Sequence, residues 1–179
     1  MLEEFVSWIG SSDLAITIQQ SDWLFPTFEV FHVLAISIVV GVIAIMDLRL
    51  LGIASRNSRV TQIAHDTLPL VWVAFVIAVV SGVLMFISNA PVYFINTAFR
   101  FKMLLIVLAG INMLYFEFVT ARSVKAWDEG VATVPPAGKM AAALSLLFWV
   151  GVVGFGRWVG FTLDFFSGSG LDQYLTAAP

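Results

Sequence analysis

Hydrophobic and polar positions divide most of this chain into four long apolar stretches separated by short polar segments. The stretches run roughly over Leu24–Met46, Leu68–Ile87, Phe99–Val119 and Met140–Phe161. Each has about the 20 residues that an α-helix needs to cross the hydrocarbon core of a bilayer. The pattern therefore predicts an all-α integral membrane protein, with a bundle of four transmembrane helices over residues 23–161.

The segment that precedes the first apolar stretch has a different, amphipathic pattern. Leu2, Phe5 and Trp8 fall on one face of a helix, opposite Glu3 and Glu4. A helix of this kind lies in the membrane interface with its apolar face in the acyl boundary. The sequence thus predicts a short interfacial N-terminal helix within residues 1–22, with a break and cap at Ser11, Ser12 and Asp13 before a second short turn.

Basic residues are concentrated in the first and third loops between the predicted spans. They are Arg49, Arg56, Arg59, Arg122, Lys125 and Lys139, six of the nine in the chain. By the positive-inside rule these loops are cytoplasmic. We therefore expect the amphipathic segment 1–22 and the tail 162–179 both to be extracytoplasmic.

Composition narrows the chemistry that this membrane protein can perform. The absence of cysteine excludes disulfides, iron–sulfur clusters and thiolate-ligated metals, and only two histidines exist to form a metal or haem site. The chain has no basic tract, so nucleic acid is not an expected partner, whereas the lipid bilayer is. A phosphate loop, a nucleophile elbow and a zinc-binding histidine pair are all missing.

A carboxylate and an imidazole lie one helical turn apart inside the first span. Glu29 and His32 share a face, and His32 is about 12 Å below the outer boundary of the span. Ionisable groups at that depth are costly and usually face the bundle interior with a partner. We expect both side chains to face inward. A purely structural pairing, with each other or with nearby basic residues, is the alternative.

Three basic residues near the outer ends of the third and fourth spans run against the positive-inside rule. These are Arg100, Lys102 and Arg157. They could simply reach outer headgroups. Together with Glu29 and His32, however, such a cluster suits haem propionates, a quinone carbonyl or a small anion. We expect Arg157 to bond Glu29, or an anionic group of a ligand held above His32.

A haem b would need an axial histidine, and His32 is the candidate metal ligand. His65 lies about 20 Å away along the membrane normal, so both histidines cannot ligate one iron in one subunit. Met85 and Met103 are in the outer halves of their spans and either could be a sixth ligand, although methionine in membrane helices more often packs.

The inner end of the predicted bundle has its own ionisable residues. Asp47 and Arg49 are expected to form a salt-bridge layer at the interface. Glu117, a few residues inside the third span, could join Asn112 in a proton path or pair with Arg49 or Arg122. The nearly apolar middle of the bundle argues against a continuous proton wire.

Several of these residues carry a resemblance to a known group of proteins. They are Trp23-Leu24-Phe25-Pro26, Glu29, Phe31-His32, Asp47-Leu48-Arg49-Leu50-Leu51-Gly52, Phe99-Arg100-Phe101-Lys102 and Gly156-Arg157-Trp158. The chain resembles an uncharacterised family of bacterial four-span membrane proteins, a domain of unknown function. Its layout is similar to that of membrane cytochromes b and copper-resistance D-type proteins. The resemblance implies a multi-pass protein of the bacterial inner (plasma) membrane.

The membrane cytochromes place histidines on facing helices at matching depth, whereas this chain has only His32 at its level. The resemblance therefore leaves a mono-histidine haem, a copper site, or a site that has lost its cofactor. Our leading hypothesis is a redox-type electron-transfer module that holds haem b or a quinone in the outer half of the bundle. The alternatives are an accessory or assembly subunit of a larger membrane complex with structural buried charges, and a transport or binding protein for copper or a small anion.

Small residues are also spaced for close helix contact. Gly156 and Gly160 form a GxxxG match in the fourth span. This spacing supports a tight bundle or a homo-oligomer.

The topology can be tested with reporter fusions. A periplasm-active reporter should be active at Pro179 and inactive at Asn57, because the basic first loop is held on the cytoplasmic side. Activity of a cytoplasm-dependent reporter at Pro179 would reverse the topology.

Overall fold

A computed structural model describes residues 1–54, 60–120 and 134–165, and within these ranges the chain is helical with no strand. The helices are α1 (Leu2–Gly10), α2 (Asp13–Gln20), α3 (Leu24–Leu50), α4 (Val60–Ser88), α5 (Ala90–Ile95), α6 (Thr97–Tyr115) and α7 (Pro136–Phe165). A π-helical turn over Phe116–Thr120 continues α6. Much of the basic first and third loops and of the C-terminal tail lies outside the described residues.

Four of these helices, α3, α4, α6 and α7, are long and apolar enough to cross a membrane. The predicted all-α, four-span fold is therefore confirmed. Their packing is the reverse of that in a soluble bundle: large apolar side chains such as Leu147 and Val150 are well exposed, whereas Ala35, Ala74 and Ala142 are buried. In a bilayer the exposed side chains meet lipid, and small residues at the contacts let helix backbones approach closely.

The four spans pack mainly as two antiparallel pairs. α3 lies along α4, α6 lies along α7, and contact between α3 and α7 joins the pairs. α4 and α6 approach each other near the end of the bundle that carries α1 and α2, which we call the outer end after the predicted topology. There Phe86 stacks on Phe99 with ring centroids 5.6 Å apart. The spans thus follow the order α4–α3–α7–α6 around the bundle.

The N-terminal segment forms two helices, where the sequence predicted one helix and a short turn. Ser12 caps α2 by accepting a hydrogen bond from the Ala15 amide at 3.3 Å, so the predicted break between the helices is confirmed. Leu2, Phe5 and Trp8 are exposed on α1, as an interfacial helix requires.

The second loop contains the short helix α5. Pro91 lies in its first turn, where a missing amide proton costs nothing. α1 packs on α5, and α2 packs on α4 and α3, with Ile18 and Val92 fully buried. Gln19 Nε2 also donates a hydrogen bond to the Ser88 carbonyl oxygen. Together α1, α2 and α5 form a cap over the outer end of the bundle.

Replacement of Gly10 by alanine should loosen this cap. A Cβ at Gly10 would lie 2.8 Å from Cδ of Pro91, and a proline ring cannot rotate away. We expect Gly10→Ala to lower the melting temperature in detergent and to speed proteolysis before residue 22.

Gly110→Ala is the matched control, because a Cβ there meets nothing within 4 Å. Alanine is the better helix former by about 0.5–1 kcal/mol, so the control should melt at the same temperature or higher. Equal behaviour of the two variants would show that the α1–α5 contact does not depend on Gly10.

Candidate functional site

His32 lies in the seam between α3 and α4 with a defined ring orientation. Its Nδ1 is 2.8 Å from the Ala78 carbonyl oxygen and 3.1 Å from Ser81 Oγ. Because a carbonyl oxygen only accepts, Nδ1 carries the proton and donates it to Ala78. Ser81 donates its own hydroxyl proton to the Ile77 carbonyl oxygen at 2.6 Å, so its oxygen can accept from His32. In the neutral ring, Nε2 is then left with a lone pair.

A glycine on the neighbouring helix makes room for this ring. A Cβ at Gly82 would lie 2.9 Å from His32 Cε1 and 3.3 Å from Nδ1. The imidazole is therefore held against the backbone of α4 by contact as well as by hydrogen bonds. No hydrogen bond joins its Nε2 to any residue within the described ranges, so this nitrogen is available to a ligand.

Lys102 extends from α6 across the neighbouring helix α7. Cβ of an alanine at Gly156 would lie 3.8 Å from Lys102 Nζ, so the lysine side chain runs over this glycine. Lys102 is within electrostatic range of His32. It is five residues from the start of α6, about 8 Å, and thus near the level of His32. Its ammonium forms no ion pair with any carboxylate whose side chain the structure describes.

Of the five predicted site residues, the structure brings together His32 and Lys102 and places the other three elsewhere. The Arg100 Nε donates to the Phe94 carbonyl oxygen at 2.8 Å, and its guanidinium lies 5.3 Å from the centre of the Phe94 ring. Arg157 is exposed, with its guanidinium 5.1 Å from the centre of the Phe161 ring on its own helix. Both arginines thus bind to local groups near the outer end.

The prediction that His32 faces the interior is confirmed, and the same prediction for Glu29 is wrong. Glu29 is exposed, and the structure forms no ion pair between it and Arg157. A separation of three residues turns a helix by about 300°, so Glu29 is offset about 60° from His32. That offset carries the carboxylate out of the helix seam in which His32 lies.

Tyr93 on α5 is a buried phenol within electrostatic range of Glu29, and sequence reasoning missed it. It is 5% exposed, and its ring packs on Phe99 and Phe86 with centroid distances of 5.4 and 6.2 Å. Burial, followed by the charge of Glu29, raises the pKa of Tyr93 to about 12. Its phenol is therefore a hydrogen-bond donor at neutral pH. Pro91 was the sequence signal that the segment around it is helical.

The inner end differs from the expected salt-bridge layer. Asp47 is buried between α3 and α7, accepts a hydrogen bond from the Ser145 hydroxyl, and has no ion pair within the described residues. Asn112 Nδ2 donates to the Ala141 carbonyl oxygen at 2.9 Å, and Glu117 is exposed. The proposed link between Asn112 and Glu117 gains no support, because the amide is already bonded to α7.

The residues present fit an iron site only in part. Within the described ranges, no group of three or more histidine, aspartate or glutamate side chains could hold a metal ion. Met103 is 44% exposed, as expected for a side chain that faces lipid, whereas Met85 is partly buried. His32 Nε2 is thus one available ligand, without a second from the same residue types.

Comparison with known proteins identifies a family and no function. A model described as Family of unknown function (DUF6644) matches residues 5–162, which include most of the cap, the four spans and all five predicted site residues. No curated protein and no solved structure matches the chain.

The substitution Gly82→Ala should disturb His32 specifically. The new methyl group would take the space of the ring, and loss of a buried hydrogen bond costs about 1 kcal/mol. We expect the ¹⁵N spectrum of histidine-labelled protein to lose the signature of an Nδ1-protonated ring at His32 and the melting temperature to fall. Gly41→Ala, where a Cβ meets nothing within 4 Å, should leave both unchanged. An unaltered His32 signal in Gly82→Ala would show that the ring does not depend on this contact.

Proposed function

We propose that this chain, which belongs to the DUF6644 family of unknown function, is a membrane redox-type module that binds a quinone head group beside His32 and Lys102. The single observation that carries the proposal is the proximity of these two residues. One offers an imidazole nitrogen with a free lone pair, and the other offers an ammonium without a carboxylate partner in the described part of the chain.

The two side chains have complementary roles toward a quinone and its reduced form. The Lys102 ammonium donates to a quinone carbonyl oxygen, and it stabilises the negative charge that reduction places on that oxygen. The His32 Nε2 accepts a hydrogen bond from a quinol hydroxyl, which gives the proton a defined acceptor. Both interactions are strengthened by the low dielectric of the membrane interior.

The position of the pair favours a ligand that dissolves in the bilayer over a water-soluble anion. The cap of α1, α2 and α5 lies between the pair and the outer solution, and its core residues Ile18 and Val92 are fully buried. Of the four pairs of neighbouring spans, α4 and α6 contact each other least, so the bundle is most open on that side. A quinone with an isoprenoid tail can approach from the membrane on that side.

A second candidate, haem b, is favoured by one observation. A histidine that ligates a metal typically donates its other ring proton to a carbonyl or carboxylate, as His32 does to Ala78. In this case His32 Nε2 would hold the iron, which supplies one-electron transfer when bound, and Lys102 would pair with a propionate. The quinone takes precedence because it needs no second axial ligand.

The remaining hypotheses have less support. A copper site would need more ligands than His32 alone offers. Lys102 argues against the hypothesis of an accessory or assembly subunit with purely structural charges. A lysine placed for stability would be expected to have a carboxylate partner.

The proposal predicts that Lys102→Met weakens quinone binding. Loss of a charged hydrogen-bond donor costs about 1.5–3 kcal/mol, which corresponds to roughly 10- to 150-fold in Kd. The measurement is calorimetric titration of a decyl-substituted benzoquinone into protein in lipid nanodiscs. Lys139→Met is the matched control, because Lys139 is exposed at the other end of α7 and should leave the affinity unchanged.

A visible absorption spectrum of the purified protein separates the candidates. A Soret band that His32→Ala abolishes would establish haem instead of quinone. Equal quinone affinity in Lys102→Met and wild type would refute the site. If neither quinone nor haem binds, the accessory-subunit reading takes its place.

A further inference from the structure

A second polar site lies at the opposite end of the bundle and is independent of the proposed quinone site. Asp47, near the inner end of α3, is 6% exposed. One oxygen of its carboxyl group accepts a hydrogen bond from the Ser145 hydroxyl group on α7. Its Oδ2 is buried and has no hydrogen-bond partner in the part of the chain that the structure describes. The adjacent contact between the two helices is apolar and is made by Leu50 and Ala142.

The charged residues on the surrounding elements do not compensate this carboxyl group. Arg49 follows Asp47 by two residues, so its side chain leaves α3 about 160° away from that of Asp47. Arg49 also has an interaction of its own. Lys139 on α7 is exposed and six residues from Ser145, about 9 Å along the helix. Glu117 in the π-helical turn is exposed as well.

The two protonation states of this group differ greatly in cost. An ionised carboxylate with one bare oxygen in an apolar helix contact is strongly disfavoured, because neither water nor a cation replaces its hydration. A protonated carboxyl group carries no charge and leaves only one hydroxyl unsatisfied, which is far less unfavourable.

We infer that Asp47 is a proton-binding site, which carries its proton at Oδ2 while α3 and α7 are packed together. Ser145 orients the group by donating to its other oxygen. Release of the proton leaves a bare carboxylate in the seam, so ionisation opposes the packing of α3 on α7. Proton occupancy and the contact between the two helix pairs are therefore linked at the inner end of the bundle.

The inference can be tested with dicyclohexylcarbodiimide, which reacts with protonated carboxyl groups in apolar surroundings. We expect the full-length protein in liposomes to be labelled at Asp47 by peptide mass spectrometry, and more rapidly as the pH falls. The exposed Glu29 and Glu117 serve as internal controls and should not react in the same way. Asp47→Asn keeps the acceptor for Ser145 and should abolish the label.

Labelling with sodium chloride and with choline chloride distinguishes a proton from a small cation. Protection by sodium alone would overturn the inference in favour of a cation site. Failure of the folded wild-type protein to label at Asp47 at any pH would overturn it as well.

An infrared measurement keeps the test valid if Asp47→Asn does not fold. Wild-type protein should show the carbonyl stretch of a protonated carboxyl group, and Ser145→Ala should move that band to higher frequency because a hydrogen bond to the carbonyl is lost. Ser37→Ala is the matched control, since the Ser37 hydroxyl only donates to the Val33 carbonyl oxygen of its own helix. No band, or a band that Ser145→Ala does not move, would contradict the inference.

Discussion

Small residues let the helix backbones of this protein approach each other closely, and this close approach governs both of its polar sites. In lipid the association of apolar helices gains little from the hydrophobic effect, so contact surfaces and polar bonds between helices determine the packing. Ala35, Ala74 and Ala78 bring α3 against α4. At that distance a histidine on α3 can donate to a backbone carbonyl of α4. Glycines act in the same way at Gly82 and Gly156, where they accept the side chains of His32 and Lys102.

The same packing places polar chemistry at two levels, with an apolar layer between them. At the outer level His32 and Lys102 come from the two different helix pairs, so the candidate site exists only when the pairs are joined. At the inner level the contact of Asp47 with Ser145 joins α3 to α7. Both polar levels thus depend on how the two pairs meet. A ligand at one level and a proton at the other could each alter the same helix contact.

Ionisable residues in the spans gave the most informative differences between expectation and structure. Glu29 and His32 are neighbours in sequence and were expected to act together, but an offset of about 60° separates their surroundings. Asp47 and Arg49 were expected to form an interfacial salt bridge, whereas Asp47 turns into the contact with α7. Asp47 and Arg49 are two residues apart and so lie on nearly opposite sides of α3, which separates them in the same way. In each case the direction of the neighbouring helix decided the partner.

The class of the protein follows from its amino acids alone, because length and continuous hydrophobicity specify a membrane-spanning helix without reference to any other part of the chain. The sequence also identified His32 and Lys102 as costly residues that need a reason to lie where they do. Only the tertiary structure selected these two from the five candidates, revealed Tyr93 and α5 in a predicted loop, and buried Asp47 against Ser145. Those contacts depend on how each helix is rotated about its axis and on which helices are its neighbours. Neither could be predicted here, because the apolar residues surround each span almost uniformly and do not mark one face as buried.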